Sequence, residues 1–127
     1  MSEQIGEFSL KHAGSTYAKA ADGDLAQYAN FEGTATGFGT VFGTLVFKNP
    51  LSEVGSTSGT CQWAGQAFLD NSTTVGGLGE GTWEQLEGQH KWKINMIVDI
   101  SDGSKHRSEG EIELETLTFS GKIYAVD

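Results

Sequence analysis

Apolar and polar residues alternate with a period of two along most of this chain, which is the pattern of a β-strand with one buried face. The alternation is clearest between residues 90 and 101, where only Ile97 interrupts the polar face. The face predicted to point inward consists of His90, Trp92, Ile94, Met96, Val98 and Ile100. Asp102-Gly103 follows and favours a tight turn, because glycine tolerates a positive φ. The pattern therefore predicts a β-hairpin around Asp102-Gly103.

The strand after this turn begins near Ser104 and carries a row of acidic residues on its outer face. This row consists of Glu109, Glu111, Glu113 and Glu115. The face predicted to point inward consists of His106, Ser108, Gly110, Ile112 and Leu114. Alternate residues of a strand hold their side chains roughly 6–7 Å apart. Because no second set of ligands is visible, a solvated sheet face is favoured over a cation site.

Six further strands are predicted from the same alternation. Their ranges are 8–18, 25–36, 40–48, 59–69, 74–86 and 117–126. The clearest loop is 49–56, which contains the single proline, and a loop is also favoured between Ala18 and Leu25. No linker divides the 127 residues, so we predict one domain that spans residues 1–127.

Glycine is unusually frequent, with 18 residues beside one proline. Glycine is costly inside a helix but is used at bulges, tight turns and strand bends. The dipeptide Gly-Thr recurs at irregular spacing, so it does not indicate a repeat array. About eight short strands with glycines at their bends can close into a barrel, which removes exposed sheet edges. We therefore predict an all-β fold, a single antiparallel β-barrel of about eight strands that can enclose an apolar cavity.

The chain is acidic, with a formal net charge of -9 and an isoelectric point near 4.6. Nucleic-acid backbones and anionic membranes require clustered Lys and Arg, so neither is expected as the partner. No apolar run approaches the roughly 20 residues of a membrane helix, and no signal peptide is visible in the first residues. The single Cys61 excludes an internal disulfide and fits a reducing compartment. We predict a cytoplasmic protein.

Motifs for cofactors and metals are missing from the sequence. There is no phosphate-binding loop, no dinucleotide glycine signature, no cysteine pair and no His-Glu-x-x-His. The glycine-rich segment 76–81 is not followed by a helix that could bind a phosphate. We therefore predict no cofactor and no metal.

Three histidines, His12, His90 and His106, share the apolar side of their predicted strands. A histidine inside a cavity can transfer protons near neutral pH. The alternative is that all three lie half-exposed at strand ends. The sequence does not show whether two of them converge on one pocket.

A carboxylate, a cysteine and three tryptophans are further candidates for the interior. Glu32 shares a strand face with Tyr28, and this face is either inward, which would make Glu32 a general acid or base, or ordinary surface. Cys61 shares a face with Trp63 and is expected to act as a small apolar wall residue. The three tryptophans, Trp63, Trp83 and Trp92, either line a cavity or fill the core.

Three segments of the second half resemble a known family. They are residues 79–94 (GEGTWEQLEGQHKWKI), residues 101–104 (SDGS) and residues 109–114 (EGEIEL). They resemble bacterial proteins of the allene oxide cyclase-like barrel group, which is structurally akin to dirigent proteins, over about the last 50 residues. The resemblance implies an eight-stranded antiparallel barrel with a hydrophobic cavity, assembled as a homo-oligomer, either a dimer or a trimer. It also implies cofactor-free cyclisation, or guided coupling, of small apolar molecules.

The leading hypothesis is a cofactor-independent cyclase, isomerase or lyase that acts on a small hydrophobic molecule in the barrel. Its proton donors or acceptors would be His90, His106 and Glu32. Its substrate-binding residues would be Trp63, Trp92, Cys61, Met96 and Tyr28. The alternatives are a non-catalytic, calycin-like barrel that binds a small hydrophobic ligand, and a structural barrel whose interior is filled.

Overall fold

The computed structural model describes residues 3–126 and contains eight antiparallel strands that close into one barrel. The strands are β1 (Gln4–Lys19), β2 (Leu25–Ala35), β3 (Gly39–Asn49), β4 (Ser58–Phe68), β5 (Thr74–Gln85), β6 (Lys91–Ile100), β7 (Lys105–Glu113) and β8 (Thr118–Ala125). One 3₁₀ turn, Leu51–Glu53, follows Pro50 in the loop between β3 and β4. Each strand pairs with the next along the chain, and β1 pairs with β8 to close the barrel. The predicted antiparallel barrel of about eight strands is confirmed.

The β6–β7 hairpin has the predicted turn. Trp92 pairs with Ile112 at one end of the hairpin, and Val98 pairs with His106 at the other. Gly103 has a φ of 95°, which glycine adopts without steric cost. The carboxylate of Asp102 accepts hydrogen bonds from the backbone N–H and the hydroxyl of Ser104. These bonds lower the pKa of Asp102 and fix the chain reversal.

Alternation sorts the residues of β6 and β7 into the interior and the exterior. Ile94 and Met96 of β6 are buried, and Ile97 lies on the outer face and is 39% exposed. The acidic row of β7 lies on the outer face, where Glu109 pairs with Arg107 and Glu113 pairs with Lys91 at 3.3 Å. The interpretation of this row as an outer sheet face is confirmed for Glu109, Glu111 and Glu113, and Glu115 lies beyond the end of β7.

Several glycines make room for aromatic rings. A Cβ atom at Gly43 would overlap the indole of Trp63, and one at Gly59 would overlap the indole of Trp83. A Cβ at Gly110 would overlap the ring of Phe119. Part of the abundance of glycine therefore reflects a narrow interior in which large rings lie against bare backbone.

The middle of the barrel is filled by an aromatic plug around Phe119, which is only 2% exposed. Its ring centroid lies 4.9 Å from that of Phe8, 5.4 Å from that of Phe31 and 6.4 Å from that of Trp63. The buried residues packed around these rings include Leu10, Leu45, Cys61, Ile94 and Met96. The interior is therefore not a continuous channel, and the free space lies toward its two ends.

Candidate ligand-binding site

An apolar cavity of about 110 Å³ lies toward the barrel end formed by the turns β2–β3, β4–β5 and β6–β7. Its lining is almost entirely apolar and includes Phe8, Val41, Trp63, Met96, Val98 and Phe119. These side chains reach the cavity because they occupy the inward-facing alternate positions of their strands. We call this space the apolar cavity.

Ser108 of β7 places a hydroxyl in this apolar environment. Its strand neighbours are Met96 on β6 and Ile123 on β8, and neither side chain makes a hydrogen bond to it. The Oγ atom is shielded from solvent, and it has no hydrogen-bond partner within residues 3–126. Buried hydroxyls normally have a partner. Ser108 itself is one of the residues that line the apolar cavity.

His106 lies two positions before Ser108 on the same face of β7 and also lines the apolar cavity. Its strand neighbours are Val98 and Ala125. The ring of Phe38, in the β2–β3 turn, meets the imidazole edge-on at a centroid distance of 5.4 Å. The cavity thus combines apolar walls with one imidazole near its end and one hydroxyl deeper inside.

The opposite end of the barrel holds a larger space of about 500 Å³ with a mixed lining. We call it the polar mouth and define it by His12, Ser15, Gln27, Asn49, Gln85 and Trp92. A β-bulge in β1, where Gly14 has a φ of 112°, lets both His12 and Ser15 line the mouth. The Nε2 atom of His12 lies 2.7 Å from the Oγ atom of Ser15, within hydrogen-bond distance.

The residues proposed from the sequence divide between these two ends. Trp63, Met96 and His106 line the apolar cavity. Trp92 and His90 line the polar mouth, where His90 lies in the β5–β6 turn and is exposed. His90 and His106 therefore do not converge on one site. His12 and His90, in contrast, line the same mouth.

The proposed roles of Glu32, Tyr28 and Cys61 require correction. Glu32 is exposed and Tyr28 is 37% exposed, because the residues of β2 that point inward are those of the opposite parity, such as Ala29 and Phe31. Glu32 is therefore outer surface and does not act in the interior, and Tyr28 does not contact a ligand there.

Cys61 is 3% exposed and belongs to the packed core rather than to the lining of the apolar cavity or the polar mouth. Burial raises the pKa of its thiol to about 11. At neutral pH the sulfur is therefore a neutral, apolar packing group and a poor nucleophile.

Ser108 and Phe38 are functional candidates that the sequence-based assignment of site residues missed. Alternation places Ser108 on the inner face, but its lack of a partner depends on which residues of β6 and β8 lie beside it. Phe38 belongs to a turn, where no periodic pattern indicates direction. Register and turn conformation, rather than composition, create this site.

The described residues, 3–126, contain neither a cluster of metal-binding side chains nor a helix that could span a membrane. No three His, Cys, Asp or Glu side chains come together in a group that could hold a metal ion. No helix there has the length and hydropathy that a bilayer-spanning helix needs.

Comparison of the chain with protein-family models, with curated proteins and with solved structures gives no match. The structure defines the class of protein, an eight-stranded antiparallel β-barrel. The resemblance to the allene oxide cyclase-like group stays a prediction from the segments that suggest it.

Proposed function

We propose that this barrel binds a small, mainly apolar molecule that carries one hydrogen-bonding group. The observation that carries the proposal is Ser108, whose hydroxyl is buried without a partner and which lines a cavity with almost entirely apolar walls. Small-molecule sites commonly combine apolar walls with a few placed polar groups that orient the ligand. A structural barrel with a fully packed interior would have no reason to keep this hydroxyl.

The energetic cost of an unsatisfied hydroxyl supports this assignment. A buried hydroxyl without a partner costs about 1–3 kcal/mol relative to a satisfied one. A ligand with a carbonyl or hydroxyl group would give Ser108 its missing partner, while its apolar part would contact Trp63 and Met96. The ligand therefore gains both the transfer of its apolar surface from water and one hydrogen bond.

The volume of the cavity limits what it can hold. Its 110 Å³ is below the ~150 Å³ of an engineered cavity that binds benzene. The enclosed part of the ligand is therefore a single small ring or a short chain. Any larger part of the molecule would extend past His106 and Phe38 toward solvent.

The direct test compares a ketone with its hydrocarbon on the wild-type protein and on Ser108→Ala. Cyclohexanone and cyclohexane are suitable probes, and the ¹³C-labelled methyl group of Met96 reports on the cavity. We expect the wild type to prefer cyclohexanone and Ser108→Ala to weaken cyclohexanone binding about three- to tenfold. The same variant should be more stable than the wild type when free, by about 1 kcal/mol, because an unsatisfied hydroxyl is removed.

Ser120→Ala is the matched control, since Ser120 is exposed on the outer face of the adjacent strand β8. It should change neither the stability nor the affinity. Unchanged Met96 shifts with both probes, or equal affinities in wild type and Ser108→Ala, would contradict the proposal.

A second candidate function is cofactor-free isomerisation or cyclisation of the bound molecule. The observation that favours it is the imidazole of His106, which lines the same cavity two positions from Ser108. Ser108 would hold the polar group of the substrate, and His106 would accept or donate a proton while apolar walls exclude water.

His106→Gln tests this second candidate once a ligand has been found. The wild type should convert the ligand into an isomer of equal mass, and His106→Gln should bind the ligand but leave it unchanged. A ligand recovered unaltered from the wild-type protein would leave binding as the function of the cavity.

A further inference from the structure

The polar mouth presents two side-chain amides that have no hydrogen-bond partner within the described part of the chain. They belong to Gln27 on β2 and Asn49 on β3, which are adjacent strands, and both side chains line the mouth. Neither amide takes part in a side-chain hydrogen bond within residues 3–126. Each amide can donate two hydrogen bonds and accept others, so together they can both donate to and accept from one ligand.

Other polar groups of the mouth are fixed in place. The amide nitrogen of Gln85 donates to the carbonyl oxygen of Gln89 at 2.7 Å, which leaves its Oε1 atom as an oriented acceptor. His12 and Ser15 are joined at 2.7 Å by their own hydrogen bond. The mouth thus combines two amides that are free to adapt with groups whose positions are already set.

Aromatic rings stand beside these polar groups. Trp92 lines the mouth and lies next to Gln85 in the β5–β6 pairing. The rings of Trp92 and His90 lie 6.0 Å apart. The negative face of an aromatic ring attracts the weakly positive C–H groups on the face of a saturated ring. A ligand with a C–H face and a hydroxyl edge therefore matches both parts of the lining.

The charges of the mouth favour a neutral ligand. Among its described lining residues the one carboxylate comes from Glu113, which pairs with Lys91 at 3.3 Å, and none is a Lys or Arg. Its other titratable side chains include the imidazoles of His12 and His90. The protein as a whole carries a net charge of -9, which repels anions. An acidic sugar or a phosphorylated one would meet no Lys or Arg among the described lining residues.

We propose that the polar mouth is a second ligand site, which binds a neutral saccharide ring through hydrogen bonds to Gln27 and Asn49 and stacking on Trp92. This site is separate from the apolar cavity, because Phe31 and Phe119 of the aromatic plug lie between them. The saccharide can be a free sugar or one residue of a glycan chain, since both present the same C–H face and hydroxyl edge.

The test is an NMR titration of the ¹⁵N-labelled full-length protein with methyl glycosides of glucose, galactose, mannose and N-acetylglucosamine, in both anomers. The side-chain NH₂ signals of Gln27 and Asn49 and the indole N–H signal of Trp92 report directly on the proposed contacts. At least one glycoside at millimolar concentration should shift all three signals in a saturable way. The side-chain amide of Gln62, exposed on the outer face of β4, should not move.

Variants then distinguish a lost contact with the glycoside from a general loss of protein structure. Gln27→Ala and Asn49→Ala should each weaken glycoside binding about three- to tenfold, the loss of one neutral hydrogen bond, and Gln62→Ala should not. Trp92→Phe should retain measurable binding because it keeps a ring, and Trp92→Leu should abolish it. An oligosaccharide of the preferred sugar that binds more tightly than its methyl glycoside identifies a glycan chain as the source, and equal affinities identify the free sugar.

Three results would overturn the proposal. They are the absence of any saturable shift across the panel, shifts that persist unchanged in both Gln27→Ala and Asn49→Ala, and equal shifts with cyclohexane. Ser108→Ala should leave glycoside binding intact, so the proposals for the polar mouth and for the apolar cavity are tested independently.

Discussion

The two ends of the barrel are made from the same eight strands, and yet they differ in size and chemistry. The apolar cavity holds about 110 Å³ between mainly aliphatic and aromatic walls, and its polar lining residues include Ser108 and His106. The polar mouth holds about 500 Å³ and is lined by amides, hydroxyls and aromatic rings. Since the same eight strands form both ends, the difference comes from which side chains occupy the inward positions near each end. The β-bulge in β1 adds to it, because it brings both His12 and Ser15 to the mouth.

One hairpin shows how a single alternation supplies both chemistries. In β6, Trp92 faces the polar mouth and Val98 faces the apolar cavity. β7 runs in the opposite direction, so its first inward residue, His106, lies at the cavity and Ile112 lies at the mouth. Phe119 on β8 fills the space between them. A barrel with a central plug can therefore carry two unrelated sites without a second domain.

The largest expected effect comes from removing the plug with Phe119→Ala. Loss of this buried ring should lower the free energy of unfolding by about 3–5 kcal/mol, measured by chemical denaturation. It should also join the two spaces, so that cyclohexanone perturbs the indole N–H signal of Trp92 as well as the methyl group of Met96.

Phe68→Ala is the matched control, because Phe68 is 41% exposed and its ring contacts only that of Phe42 among the aromatic pairs of residues 3–126, at 6.0 Å. We expect a loss of about 1 kcal/mol and no communication between the ends. If Phe119→Ala does not fold, Phe119→Leu removes less of the plug and still enlarges the passage between the two spaces. Equal stability losses at positions 119 and 68 would show that Phe119 is not the centre of the core.

A smaller effect is expected from Gly43→Ala, which disturbs the apolar cavity alone. The new methyl group would overlap the indole of Trp63 and displace it, at a cost of about 1–3 kcal/mol. Binding of cyclohexanone should weaken because Trp63 lines the cavity. Glycoside shifts at Asn49 should stay as in the wild type.

Gly76→Ala is its control within a strand, since a methyl group there meets only the carbonyl oxygen of Gly65 at 3.8 Å. This variant should be neutral or more stable by about 0.4–1 kcal/mol, through a reduced entropy of the unfolded chain. If Gly43→Ala were equally harmless, the interior would be looser than its close ring-to-backbone contacts indicate.

The sequence predicted the architecture because the barrel depends on alternation and turn residues, which are local. All eight strands overlap their predicted ranges, and the Asp102-Gly103 turn is the observed one. The opposite placement of His90 and His106 could also have been predicted, because His90 directly precedes β6, His106 is near the start of β7, and these are consecutive antiparallel strands. Residues at the starts of such strands lie at opposite ends of the sheet.

The sequence pattern alone did not show which face of β2 points into the barrel. Phe31 stands on one face and Tyr28 on the other, so alternation does not decide which aromatic residue is buried, and Glu32 was assigned with Tyr28. The pairing of β2 with both β1 and β3 decides it. The unsatisfied state of Ser108 likewise depends on its neighbours Met96 and Ile123, which belong to other strands.

A modest effect confined to the cavity end is expected from Phe38→Ala. Phe38 is half-buried in the β2–β3 turn and contacts the imidazole of His106. Its removal should cost about 1 kcal/mol of stability or less, since much of the ring is already exposed. Cyclohexanone should dissociate faster, as measured by line broadening of the Met96 methyl signal. An unchanged dissociation rate would mean that ligands do not pass Phe38.

The smallest effect, close to none, is expected when the folded protein meets a thiol reagent. Cys61 lies in the plug between the two ends, and its raised pKa of about 11 keeps the thiol neutral at pH 8. Iodoacetamide should therefore label the native protein far more slowly than the unfolded chain, as followed by mass spectrometry. Because the folded pKa lies above the ordinary 9.0, the proton on Cys61 stabilises the fold below about pH 9, and this contribution is lost as the pH rises toward 11. Phe119→Ala should accelerate labelling at pH 8 by opening a path from either end. Rapid labelling of the wild type would mean that one of the two spaces already reaches the core, and the two ends would then form one connected site.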